Sequence, residues 1–145
     1  MMRLNPHKRI AGLLVPVFAL RHAKDFGVGD TLAMKQAIDF CVREGFSLLQ
    51  FLPVHETVGD HSPYNAISSR ALSPAFLSLT VDDVPGLSQE MVTTAAPESW
   101  LEKLREGVVR HNSVLPLKIH VLLAAHHALR AGEASGEALE EFGRF

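Results

Sequence analysis

The chain has 145 residues, 47% of them apolar, a net charge of −2 and one cysteine. That is enough apolar material for one domain with its own core, and it argues against disorder. No basic cluster runs longer than His7-Lys8-Arg9, so nucleic acid and anionic membranes are not expected as partners. A lone Cys41 allows no internal disulfide. With no secretory signal pattern and no long apolar span, the expected compartment is the cytoplasm.

Residues 1–9 form a polar lead, expected to be frayed. Residues 10–18, Ile-Ala-Gly-Leu-Leu-Val-Pro-Val-Phe, are a near-continuous apolar run. It reads as a strand buried on both faces, as in a parallel sheet, because Gly12 and Pro16 disfavour a helix. A polar loop follows, ending in Gly27-Val28-Gly29, and Asp30 is placed to cap a helix running to Glu44. Met34, Ala37, Ile38, Cys41 and Val42 make its apolar stripe, and Gly45 suits the left-handed position that ends it. A second strand over residues 48–54 follows at once.

This is a strand–helix–strand unit whose right-handed crossover makes the strands parallel. The strands echo each other, Leu14-Val15-Pro16-Val17 against Phe51-Leu52-Pro53-Val54. A proline has no N–H for a neighbouring strand, so both prolines mark carboxyl ends, where α/β folds bind ligands. Residues 71–81 read as a short strand or extended segment, with Pro74 arguing against a central strand. Residues 84–97 read as a linker. A helix opens at Pro97 with Trp100, Leu101, Leu104 and Val108 on one face. Another spans residues 114–130, with Leu115, Ile119, Leu122, His126 and Leu129 on one side and Gly132 ending it. Ser135 caps a last segment over 136–145, which stops without a closing signal, as though cut there.

The most informative stretch is His61-Ser62-Pro63-Tyr64-Asn65-Ala66. A tyrosine ring offers an apolar face and a polar tip, Ser62 and Asn65 offer donors and acceptors, and Pro63 stiffens the backbone. Such a loop can hold a polyhydroxylated ligand; the hexapeptide alone reads more readily as a surface turn. Asp60 adjoins it and can accept from a ligand hydroxyl. Gly27 and Gly29 begin like a dinucleotide fingerprint, but its third glycine falls on Leu32. His55-Glu56 begins like a zinc-protease helix, but Gly59 stands where the second histidine belongs. No metal, no cofactor and no pair of catalytic acids is expected in these residues. Cys41 reads as core, His126 as an interior or boundary residue, and Asp39, Glu102 and Glu106 as solvated.

Three blocks together resemble the amino-terminal part of the 4-α-glucanotransferases (amylomaltases or disproportionating enzymes, glycoside hydrolase family 77). They are Ala11-Gly12-Leu13-Leu14-Val15-Pro16 with Leu20 and Phe26-Gly27-Val28-Gly29-Asp30; residues 44–54; and residues 61–69 with Ala71-Leu72-Ser73-Pro74. The match covers residues 10 to about 80. Residues 81–145, mostly helical, fit the family's insertion after the second barrel strand only loosely. The resemblance implies an α/β fold: the first β-α-β unit of a (β/α)8 TIM barrel, then a helical insertion subdomain. It implies transfer of α-1,4-glucan segments between maltooligosaccharides by a retaining double displacement. Tyr64 would be the platform under a donor sugar, Ser62 would bond a glucose hydroxyl or orient the loop, and Asn65 and Asp60 are further substrate-binding candidates. Retaining chemistry needs two carboxylates about 5–5.5 Å apart; the family carries them on later strands, beyond residue 145. A whole barrel takes about 250 residues, so the chain reads as an amino-terminal piece. Alone it should leave strand edges and apolar faces open, to be completed by the rest of the barrel or by a partner chain. Leu49 stands where the family usually has Trp, and Arg70 where it often has an apolar group, which leaves acceptor preference open. Two other readings are a noncatalytic maltooligosaccharide-binding fragment and a small nucleotide-binding α/β protein.

Overall fold

Asp30 and Gly45 set the limits of the first helix. In the computed structural model, which describes residues 9–132 and residue 140, α1 spans Thr31–Arg43. The Asp30 carboxylate accepts from the Ala33 N–H at 3.1 Å, filling one of the first free donors. Gly45 follows the helix at φ 76°, a conformation a side chain would strain. The strands flanking it are β1, Gly12–Val15, and β2, Leu48–Phe51. They pair in parallel, with Gly12 opposite Leu48 and Val15 opposite Phe51. Both strands stop just before their prolines, Pro16 and Pro53. The segment over 133–139 and 141–145, with its expected Ser135 cap, and lead residues 1–8 lie outside the described residues.

The strands are shorter and less buried than expected. Pro16 ends β1 and the chain turns into a 3-10 turn at Val17–Ala19. Leu14 is 61% and Leu48 45% exposed, because among the described residues the sheet has two strands and open edges. On α1, Ala33 and Cys41 are buried, while Ile38 and Val42 of the expected stripe face solvent. Open edges and apolar faces are therefore present, as the two-strand unit implied.

The core lies elsewhere, where the loop between β1 and α1 meets the helices that follow. Phe26 and Val28 pack with Leu79, Leu101, Leu104, Val114, Leu117 and Val121. Residues 84–97 are not all linker: α2, Gln89–Ala95, starts at Ser88, whose hydroxyl accepts from the Met91 N–H. Next, α3 covers Glu98–Arg105 and buries Leu101 and Leu104, whereas Trp100 is 41% exposed and Val108 lies beyond its end. The long α4, His111–Arg130, buries Val114, Leu117, Lys118, Val121, Ala125, Ala128 and Leu129. Its inward face is thus rotated from the expected one; Ile119 and His126 are exposed. The rotation follows Lys118, whose ammonium bonds the Ala75 and Leu77 carbonyls around a 3-10 turn at Pro74–Phe76.

Candidate functional site

Beyond the carboxyl ends of β1 and β2 the chain leaves a cavity of about 130 Å3. Its walls include Pro16, Phe18, Leu52, His55, Glu56, His61, Pro63 and His111. The two post-strand prolines sit at this rim because neither can extend the ladder. The loop over residues 55–66 covers it, tied back by antiparallel bridges His55–Leu72 and Thr57–Ala66.

The loop is organised around Asp60. Its carboxylate accepts from the Ser62 N–H at 3.0 Å and from the Asn65 amide at 3.1 Å. These two donors, Ser62 first, hold the Asp60 carboxyl below its ordinary range. The Asn65 N–H in turn donates to the Ser62 carbonyl at 3.0 Å. Pro63 and Tyr64 are thereby held at the tip, and Tyr64 is 75% exposed. The structure brings Asp60, Ser62 and Asn65 together, while Tyr64 stands out into solvent. None of the four is among the cavity's lining residues, which the same loop supplies through His61 and Pro63. The arrangement offers an accessible ring beside neutral polar groups. Its carboxylate is spent on the loop itself, and among the described residues no second acid is paired with it for proton transfer.

Four residues, His61, His111, Asn112 and Phe18, hold this loop in place through contacts that no sequence motif joins. His61 is the one non-glycine among the described residues at positive φ, 54°. Its ring stacks on His111 with centroids 5.0 Å apart, and its Nε2 lies 2.7 Å from Asn112 Oδ1. Phe18, just past β1, meets the other side of the run edge-on at 6.0 Å from His111. Burial, then the neighbouring His61, holds the His111 imidazole below its ordinary value, which favours its neutral form. The partners come from residues 51 positions apart, so no local motif announces them.

The glycine pair is committed elsewhere. The Gly27 N–H donates to Asp25 Oδ1 at 2.8 Å and the Gly29 N–H to the Phe18 carbonyl at 3.2 Å. A Cβ on Gly29 would sit 1.9 Å from the Val17 carbonyl oxygen. Both glycines serve close packing, and neither N–H is left for a phosphate, so the nucleotide reading loses its basis. Among the described residues no group of three or more His, Cys, Asp or Glu is arranged to hold a metal ion.

A parallel β-α-β unit with a polar, aromatic-bearing loop at its carboxyl edge makes this an α/β protein, a class in which that edge is the usual place for a ligand. Its family is narrower: the 4-alpha-glucanotransferase model (glycoside hydrolase family 77) matches residues 15–145, and the chain belongs to that family. The match begins within the first of the three sequence blocks and runs through the helical region as well. The chain is 38% identical over 84 residues to a 4-alpha-glucanotransferase of Chlamydia pneumoniae, covering 55% of this chain and 16% of that protein. It is 35% identical over 102 residues to that of Chlamydia trachomatis, covering 65% and 19%. It is 36% identical over 94 residues to that of Oryza sativa subsp. japonica, covering 60% and 10%. The matched region is thus 10–19% of these relatives' lengths. No helix among the described residues is long and apolar enough to cross a membrane.

Proposed function

We propose that this chain is a segment of a 4-α-glucanotransferase, with residues 10–80 supplying two strands of a (β/α)8 barrel and its donor-sugar loop, and residues 81–145 a helical insertion. The substrate is an α-1,4-glucan or maltooligosaccharide, handled in the cytoplasm. Tyr64 forms the apolar platform for a glucose ring, and Ser62 and Asn65 meet its hydroxyls. Asp60 serves by holding the loop's shape. The nucleophile and the proton donor of the double displacement come from residues outside these 145.

The observation that carries this reading is Tyr64. Within the family match, the one tyrosine of the chain stands 75% exposed on an internally bonded loop at the strands' carboxyl end. A large exposed ring held on a rigid support costs little entropy to use. A neutral sugar also needs none of the basic surface that this chain lacks.

The test is Tyr64→Ala beside Tyr64→Phe in the intact protein, titrated calorimetrically with maltoheptaose. Losing the platform should weaken binding about 10-fold, roughly 1.4 kcal/mol, and Tyr64→Phe should recover most of it. Disproportionation of maltotriose should fall in parallel. Equal affinity in wild type and Tyr64→Ala would take Tyr64 out of the site.

A further inference from the structure

The loop that bears Tyr64 is fastened to a helix far along the chain, and the fastening has chemistry of its own. His61 sits at φ 54°, a region in which a non-glycine residue is strained. Something must hold it there, and the partners are visible. The His61 ring lies flat on His111, 5.0 Å between centroids and 16° between planes. Its Nε2–H points at Asn112 Oδ1, 2.7 Å away. Both partners belong to the first turn of α4, and His111 leans on Phe18, which follows β1.

We propose that His111 and Asn112 form a clamp that positions the Ser62–Tyr64 loop through His61, making these three positioning residues for sugar binding. The proposal rests on the reading of Tyr64 as a sugar platform. The clamp sets where the loop stands, and Asp60 sets its internal shape. His61 immediately precedes Ser62, so a shift of its ring swings the loop tip as a unit. The run from Phe18 through His111 to His61 also links the end of β1 to the loop after β2. A helix of the 81–145 region thereby takes part in shaping a site built on 10–80.

His61→Gly separates the two ways His61 could matter. Glycine adopts positive φ freely, so the variant relieves backbone strain while deleting the ring. Hydrogen exchange in the intact protein reads the loop directly, at the amides of Ser62, Asn65 and Ile67, and calorimetric titration with maltoheptaose reads binding. A clamp predicts that His61→Gly and Asn112→Ala each speed exchange over residues 58–67 at least several-fold, leave α3 unchanged, and weaken maltoheptaose at least 3-fold. Asn112→Asp, which keeps the acceptor, and His111→Phe, which keeps a ring to stack on, should restore both. Wild-type exchange and affinity in His61→Gly would overturn the clamp, as would faster exchange with unaltered affinity. The failures are separable. If Tyr64→Ala also leaves affinity unchanged, the sugar-platform reading falls; if Tyr64→Ala weakens binding and His61→Gly does not, the clamp alone falls.

Discussion

Asp25→Ala is expected to cost about 2–4 kcal/mol of stability, mainly from buried N–H groups left without an acceptor at about 1–3 kcal/mol each. Asp25 is wholly buried. Its carboxylate takes both prongs of the Arg21 guanidinium at 2.7 and 2.9 Å, and the N–H groups of His22 and Gly27 at 3.0 and 2.8 Å. Its carbonyl accepts from Arg105 Nε at 2.7 Å, and Arg21 reaches back to the Arg105 carbonyl at 3.4 Å. The residue therefore fixes the loop after β1 and ties it to the end of α3. Alanine leaves two N–H groups without their acceptor, and unmade buried bonds of this kind carry the full desolvation penalty; the partly exposed Arg21 guanidinium turns to water.

The same residue fixes an acid limb. Burial is the largest single influence on Asp25 and opposes its charge. Arg21 and the two N–H groups together outweigh it and hold the carboxyl below its ordinary 3.8. With the folded value depressed, the unfolded chain binds more protons through this range. The stabilisation is complete above the ordinary value and is lost as pH falls through the folded one. Urea midpoints taken from pH 7 down to pH 2 should show the gap between wild type and Asp25→Ala narrowing at the acid end. A variant within about 0.5 kcal/mol of wild type at pH 7, the usual scatter for surface changes, would show that Asp25 is no hub.

The β1–α1–β2 unit is readable from the sequence because each of its signals is local. Asp30 caps within three residues, Gly45 ends the helix, and a proline closes each strand. The loop motif is readable for the same reason, since Asp60, Ser62 and Asn65 bond within five positions of one another. Helix α2 escapes the reading because Pro85, Gly86 and Pro97 surround seven helical residues, and punctuation outweighs so short a period. Ser88, a good cap ahead of Met91 and Val92, is the signal that marks it. The face of α4 is misassigned for a different reason. Apolar residues fall on both sides of that helix, and a period count places any lysine outward. Lys118 goes inward because of carbonyls 43 and 41 residues away, which no local window contains. The His61–Asn112 bond, spanning 51 positions, is hidden by the same distance.

Lys118→Ala should lose about 4 kcal/mol, through the cavity it opens and two carbonyls stripped of their donor. The more telling variant is Lys118→Met, which keeps most of the volume. Lys118 has no exposed surface. Its ammonium donates to the Ala75 and Leu77 carbonyls at 2.8 and 2.6 Å and lies 5.6 Å from the centroid of the Phe26 ring. Desolvation drives its pKa down from 10.5 to about 8, against the pull of Asp30 and Asp25. A lowered lysine pKa means that between these values the unfolded chain keeps a proton that the folded chain has released. Stability therefore rises with pH across that window, by up to roughly 3 kcal/mol at about 1.36 kcal/mol per unit. Below pH 8 the wild type carries the cost of a buried cation, which methionine removes; methionine in turn leaves both carbonyls unmet, at about 1–3 kcal/mol each. The opposing effects leave Lys118→Met weaker than wild type by about 2 kcal/mol at pH 7. Its deficit should then widen as pH rises toward 10, because only the wild type gains from releasing the proton. Urea midpoints of the two proteins at pH 7, 8, 9 and 10 measure this directly. A deficit that stays constant over the series would mean that Lys118 keeps its charge in the fold, with the carbonyls around the Pro74–Phe76 turn binding a full ammonium throughout.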